Sequence, residues 1–520
     1  MGGVFLGADG LMVRVRSWFR RCSRILPVVS RFGAPVLAYS LLLILPACAP
    51  SGDWQLSRPA TAGEIEGYAS RPSVAPGESL SLHVSTRSRR FDTRIYRLGW
   101  YQGSGARLFL EIRGTPGGAH PAPQPRPEDG LVACGWPVSL KFRVGGDWPS
   151  GAYLAQLSGA GKQTFVPFIV RESRSGGRRA PYVLMLNTLT WQAYNAWGGT
   201  SLYDFNSRGG ARAIRVSYER PYGSGPGAWD GLGAGELLTT PHTKIRAGWE
   251  YPMIRWLEKS GIDVATVADL DLDADSTLLQ GRRGVLIVGH PEYWTRRIRD
   301  ALDRARDSGV GIALFGANAG YWQVRLEAGP VVFCAKDYTR DPLYDTAADK
   351  DLTVRFRNLH PRRPEVALFG VQTARGEESV AADFVPDPEA RDSWIYRGTG
   401  VATGATQSIP GLIGYEVDRS FIADSLYDVW SPPGLQVVAR SPIRFHDGSS
   451  ERSDAATYRA SSGAVVFAAG TMQWSWGLDD WGAPKLRPAR RHADAERITL
   501  NVIDALGGGG APGPSSRSPR

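Results

Sequence analysis

The 520-residue chain lacks most of the short motifs that carry hydrolytic or nucleotide chemistry. It has no GxSxG nucleophile elbow, no HExxH, no GxxxxGK(S/T), and no GxGxxG between a strand pattern and a helix pattern. Serine-elbow hydrolases, helix-borne zinc proteases, P-loop NTPases and dinucleotide-binding folds are therefore excluded as readings. Four cysteines without a CxxC pair and seven scattered histidines leave no Cys/His zinc pattern. Asp269-Leu270-Asp271-Leu272-Asp273 starts like a calcium loop, but Ala274 stands where the sixth-position glycine belongs and Gln280 where the final glutamate does. That segment is expected to be a solvated loop. There is no internal repeat, and no apolar run reaches the roughly 20 residues of a membrane span.

Charge of one sign is concentrated rather than widespread. Of the formal net charge of +10, half falls in residues 1–47, where six arginines face the single acid Asp9. The other basic clusters, Arg87–Arg90, Arg171–Arg179 and Lys485–Arg491, lie in Ser-, Gly- or Pro-rich stretches and read as solvated surface. No nucleic-acid partner is expected. Glycine (62) and proline (36) are plentiful, which rules out a coiled coil or helical repeat and predicts many turns.

The N-terminus has the parts of an export signal: arginines, an apolar run from Ala34 to Leu45, and small residues before Cys48. Leu45-Pro46-Ala47-Cys48 resembles the lipobox of bacterial lipoproteins. Residues 1–48 are thus expected to be a signal with lipidation at Cys48, giving a membrane-attached protein on the extracytoplasmic face of a bacterial envelope. Cys134 and Cys334 would then sit in an oxidising compartment, where a disulfide is permitted but two separate buried thiols are expected.

Residues 63–172 alternate apolar and polar positions in short runs bounded by turns, among them Ile95–Leu98, Val138–Val144, Tyr153–Leu157 and Phe165–Val170. This spacing predicts an immunoglobulin-like β-sandwich. After a basic, Gly/Ser-rich linker, residues 180–506 alternate strand and helix patterns and predict a doubly wound α/β domain, while 507–520 read as a disordered tail. The clearest unit is Gly284–Arg325. Val285–Val288 and Gly311–Phe315 read as buried parallel strands joined by a helix capped at Thr295, with Ile298, Ala301, Leu302 and Ala305 as its apolar stripe. Open α/β sheets bind ligands at the C-terminal ends of their strands, so His290, Glu292 and Asn318 are predicted to face one crevice.

Tyr, Trp, Asn and Glu cluster at such strand ends: TWQAYNAWGG (Thr190–Gly199), SYERPY (Ser217–Tyr222), VGHPEYW (Val288–Trp294), FGANAGYWQVR (Phe315–Arg325) and IPGLIGYE (Ile409–Glu416). These segments resemble the large (beta) subunit of the N,N-dimethylformamidase family in its C-terminal catalytic domain, over about residues 180–505, and GYASRPSVAPGESLSLHVSTR is similar to the sandwich before it. The resemblance implies a glutamine-amidotransferase-like α/β fold and a mononuclear non-haem iron, held by two tyrosines and a glutamate. It points to Tyr194 and Tyr222 as phenolate ligands, with Tyr203 and Tyr218 as rivals for the second place, and to Glu292 as the carboxylate ligand. His290 would carry protons beside the metal, Asn318 would orient substrate or oxyanion, and Lys336 and Glu416 would complete the pocket.

Such hard oxygen donors suit ferric iron better than zinc or copper, and three protein ligands leave positions open for substrate and water. The implied activity is hydrolysis of an amide or amide-like C–N bond in a small amide-containing substrate, without a covalent enzyme intermediate. The family enzyme is intracellular and pairs its large subunit with a small helical one, whereas this chain reads as exported and is shorter on its N-terminal side. The alternative is a non-catalytic cell-surface protein that binds a glycan or peptide on the same fold. Oligomeric state, a homo-oligomer included, is left open.

Overall fold

Alternating residues in the first third of the chain produce eight strands, because period-two side chains bury one face and expose the other. In the computed structural model, which describes residues 54–507 except 174–178, 224–230, 241–246, 328, 347–348, 374 and 423–425, these are β1 (Ile65–Ala69), β2 (Ser73–Val74), β3 (Ser79–Thr86), β4 (Arg90–Leu98), β5 (Ala106–Pro116), β6 (Leu140–Arg143), β7 (Gly151–Gly159) and β8 (Lys162–Val170). They form a three-stranded sheet, β1-β3-β6, and a five-stranded sheet, β2-β8-β7-β4-β5. Ile65, Leu82, Phe91, Ile95, Tyr153 and Phe168 share one buried cluster.

Beyond Ala180 the runs become wholly apolar and the pattern changes to strands separated by helices. The first elements are β9 (Tyr182–Leu186), α1 (Thr188–Tyr194), β10 (Arg215–Ser217), α2 (Tyr251–Lys259), β11 (Val264–Ala268), α3 (Asp269–Ala274), β12 (Gly284–Gly289), β13 (Tyr293–Thr295), α4 (Arg296–Asp307), β14 (Gly311–Gly316), β15 (Trp322–Glu327) and β16 (Val331–Phe333). Then come α5 (Val366–Phe369), β17 (Gln372–Thr373), β18 (Ala382–Phe384), α6 (Gly400–Thr403), β19 (Ile409–Ile413), β20 (Asp418–Arg419), β21 (Gln436–Arg444), β22 (Ser450–Arg459), β23 (Val465–Ala468) and α7 (Ala493–Ala505). Seven strands make the central sheet in the order β11-β9-β12-β14-β23-β22-β21. The first five run parallel, and β22 and β21 add antiparallel to β23 and to each other. The architecture is mixed α/β with many small sheets around this one.

The crossover from β12 to β14 has a local cause at each step. Thr295 accepts a hydrogen bond from the Ile298 amide at 3.2 Å and so starts α4. Ile298, Ala301, Leu302 and Ala305 are buried, and Gly309, at φ +88°, turns the chain into β14.

Asp269–Asp273 is a helix, not the solvated loop its composition suggests. Asp271 accepts from the Ala268 amide at 2.8 Å, while Asp269 accepts from the amides of Leu189 and Leu270, each at 2.9 Å. The Asp271 carboxylate also accepts from Ser73 Oγ of β2 at 2.5 Å and from Arg171, just past β8, at 2.6 Å. Buried carboxylates with this many donors are held in place rather than solvated.

Cys134 and Cys334 are free thiols. The expected signal, Cys48, and residues 508–520 of the expected tail lie outside the described residues, as do residues 174–178 of the linker. No helix among the described residues is long and apolar enough to cross a membrane.

Candidate functional site

β9, β12 and β14 are neighbours in the parallel sheet, and the chain leaves their C-terminal ends carrying polar side chains. β9 leads into α1, which ends at Tyr194; β12 leads into His290 and Glu292; β14 leads into Asn318. Two glycines let these ends close up. Gly316 lies so near β12 that a Cβ would stand 2.4 Å from the Gly289 carbonyl oxygen. Gly289, at φ +72°, would press a Cβ to 2.3 Å from Trp249 Cβ. Asn187, just past β9, ties the sheet edge together by donating to the Val288 carbonyl at 2.7 Å.

Glu292 is the focus of the site. Its carboxylate accepts from the Tyr194 hydroxyl at 2.7 Å and from the Tyr203 hydroxyl at 2.7 and 2.8 Å, and the two hydroxyls are 2.8 Å from each other. The rings stack with centroids 4.4 Å apart. Thr190 Oγ1 accepts from the Glu292 amide at 3.1 Å, and Asn206 donates to the Tyr194 carbonyl at 2.9 Å, so both sides of the pair are pinned by their own loops. Burial, with the Glu292 charge next, holds both phenols well above their ordinary range. Burial works to raise Glu292 as well, but His290, Lys336 and Tyr203 together outweigh it and hold its carboxyl below the usual value.

His290 is fully enclosed. Its Nε2 lies 3.2 Å from Glu292 and 3.3 Å from Glu416, and its Nδ1 3.8 Å from Glu236. Burial disfavours the imidazolium, yet the carboxylates of Glu416, Glu236 and Glu292 prevail and raise it well above its ordinary value. Asn318, at φ +53°, donates from its backbone amide to Asp418 at 2.9 Å and from Nδ2 to Glu416 at 2.6 Å. Its Oδ1 is buried with no partner among the described residues. Lys336 Nζ stands 3.2 Å from the Tyr203 ring centroid, and burial draws its pKa down to about 8 against the pull of Glu292.

The structure therefore gathers Tyr194, Glu292, His290, Asn318, Glu416 and Lys336, but not Tyr222. Tyr222 packs edge-on against Trp191 at 6.3 Å. Tyr218, the other rival, is 3.1 Å from Thr188 Oγ1. It is Tyr203 whose hydroxyl lies beside the Tyr194 hydroxyl and the Glu292 carboxylate, on the segment that follows the turn Trp197–Gly199. Glu236 was not legible in the sequence. It lies in a short turn, Gly235–Leu237, with no motif around it, and only folding brings it to His290.

Tyr194, Tyr203 and Glu292 fit a hard cation. Once deprotonated they offer three anionic oxygens already within 2.7–2.8 Å of one another. Groups of three or more His, Cys, Asp or Glu placed to hold a metal ion are absent among the described residues.

Among solved structures, the sulfur carrier protein SoxY from Chlorobium limicola f thiosulfatophilum matches 22% of this chain and 84% of its own at 13% identity, but a TM-score of 0.13 carries no argument. The N,N-dimethylformamidase beta subunit of Alcaligenes sp is 27% identical over 360 residues, covering 60% of this chain and 45% of the relative. That of Paracoccus aminophilus is 25% identical over 361 residues, with the same coverage. The chain thus spans about half the length of the curated relatives it matches. The profile of the family described as "N,N-dimethylformamidase beta subunit-like, C-terminal" matches residues 92–489, most of the chain, and the protein belongs to that family.

Proposed function

We propose that this protein is a metal-dependent hydrolase of amide or amide-like C–N bonds, with ferric iron held by Tyr194, Tyr203 and Glu292. The carrying observation is the convergence of two phenolic hydroxyls on one buried carboxylate. The set supplies three negative charges for a trivalent ion, and loading would release the phenolic protons that burial otherwise retains. A ferric ion so bound would act as a Lewis acid towards an amide carbonyl and a water. Kinship with dimethylformamidase subunits supports the reaction class.

The chain's own residues suit that reaction. His290, held as an imidazolium between Glu292 and Glu416, can give a proton to a departing amine and, once neutral, take one back from a water in the crevice. Glu416 and Glu236 stabilise that imidazolium before and after the exchange. The Asn318 amide is held by Glu416, and Lys336 brings positive charge to the Tyr203 side, where developing oxyanion charge can be met. The parallel strand order is consistent with a glutamine-amidotransferase-like scaffold, and the two N-terminal sheets with an immunoglobulin-like sandwich. Export and lipid attachment at Cys48 rest on the sequence of residues 1–48 and form part of the same proposal.

Elemental analysis of the mature chain expressed with iron tests the reading. About one iron per chain and a visible tyrosinate-to-iron band are expected. A colourless, metal-free protein would overturn it and leave the non-catalytic binding role. Replacing Cys48 with Ser is expected to release the protein from membranes.

A further inference from the structure

We infer that the cleft on the Tyr203 and Lys336 side of the centre binds a carboxylate carried by the amide substrate, as in an N-acyl amino acid. This rests on the hydrolase reading and specifies its substrate class. The cleft has a volume of about 570 Å³, within the range of small-molecule sites. One wall is residues 124–130, from the N-terminal half; the rest is Gly199, Thr200, Arg208, residues 210–212 and Arg340.

Those walls are carried by the same segments as the candidate centre. Tyr203 lies between Thr200 and Arg208 on one segment, and Arg340 follows Lys336 by one short turn. Lys336 in turn sits on the Tyr203 ring. Arg212 is near enough for its charge to bear on Lys336.

The cleft is strongly cationic. It holds Arg126, Arg208, Arg212 and Arg340 against Glu128 and Asp129. Asp129 is already committed, since it accepts from Arg126 at 2.8 Å and from Arg215 at 3.1 Å. Asp337 beside the cleft is hydrogen-bonded to Thr339 and feels Arg340 and Arg212 without pairing with either. Arg208, Arg212 and Arg340 are exposed and form no ion pair or side-chain hydrogen bond among the described residues. Four guanidinium groups facing two carboxylates leave an excess of positive charge, and the planar forks of the three unpaired ones match a carboxylate. An anion on the substrate satisfies both conditions, while a neutral short amide uses none of this surface.

The test uses iron-loaded full-length protein with two carboxylate probes of different reach, N-acetylglycine and 4-acetamidobutyrate, each against its own neutral carboxamide. Calorimetry reads binding, and amine release reads hydrolysis. At low salt, at least one carboxylate is expected to bind about tenfold more tightly than its carboxamide, with a matching preference in KM. R208A/R212A/R340A is expected to bring that ratio to about one. Arg212→Lys, which keeps the charge and loses the fork, is expected to retain part of it. Hydrolysis of both probe types with no preference, or a preference untouched in the triple variant, overturns the inference and leaves the hydrolase reading standing. A preference that depends on the arginines, with no hydrolysis of any probe, overturns the hydrolase reading and leaves an anion site.

Discussion

Tyr203 and Glu292 are 89 residues apart in sequence, yet the phenol of one donates to both carboxylate oxygens of the other, at 2.7 and 2.8 Å. The consequence is testable against the other tyrosine that sequence favoured. Tyr203→Phe is expected to lower iron affinity by about 100-fold or more and to shift or abolish the tyrosinate band. Tyr222→Phe, which alters a ring packed on Trp191, is expected to keep both. Equal loss in the two variants would refute the assignment.

Arg220 is wholly buried and, among the described residues, makes four hydrogen bonds, all to carbonyl-type oxygens: Thr200 at 2.9 Å, Trp197 at 3.2 Å, and the main chain and side chain of Gln192 at 3.2 and 3.4 Å. It clamps the stretch that carries Tyr194 to the stretch that leads to Tyr203. Burial lowers its pKa to about 10, still leaving it charged at neutral pH. Arg220→Met, of similar length, is expected to cost about 2–5 kcal/mol in denaturant unfolding, because it strands these acceptors. A smaller loss would mean the loop holds itself.

Gly289 is constrained twice, by φ +72° and by Trp249 at 2.3 Å from a built Cβ. Gly463 has a similar φ, +87°, with nothing within 4 Å. Gly463→Ala is therefore expected to cost about 1 kcal/mol, from backbone strain alone. Gly289→Ala adds overpacking and is expected to cost about 3 kcal/mol or more. Thermal midpoints of the two variants give the comparison, and equal shifts would remove the packing contribution.

Burial raises Asp269 from its ordinary 3.8 to about 7, against the hydrogen bonds from Thr188, Leu189 and Leu270. The folded state then binds this proton more tightly than the unfolded state does. The contribution to stability is greatest below about pH 4, and it declines as pH rises to about 7, beyond which it is flat. Asp269→Asn removes the titration. The stability of the parent relative to this variant is expected to fall across pH 4 to 7, and a difference constant over that window would show that Asp269 does not titrate there.

The β12–α4–β14 crossover was legible because each of its parts has a local cause: apolar strand runs, a threonine cap and a helical stripe. The grouping of His290, Glu292 and Asn318 followed from strand ends, a rule that needs no side-chain detail. The choice between Tyr203 and Tyr222 was not legible, since both lie in irregular segments whose course depends on contacts such as the Arg220 clamp. Asp269 and Asp271 were misjudged for a related reason. Their burial depends on donors from Thr188, Ser73 and Arg171, which no local window contains. Glu236 shows the limit most plainly, because nothing in its neighbours distinguishes it from a surface glutamate.

Trp197 sits between the two phenol-bearing stretches and donates its indole N–H, at 2.9 Å, to Glu66 on the first strand of the chain's N-terminal half. A glutamate of the N-terminal sheets thereby anchors the turn that joins the two tyrosines in sequence. If the centre holds iron as proposed, a chimera that joined this α/β half to foreign N-terminal sheets is expected to lose iron affinity before it loses secondary structure, and to recover it when Glu66 is transplanted to face Trp197.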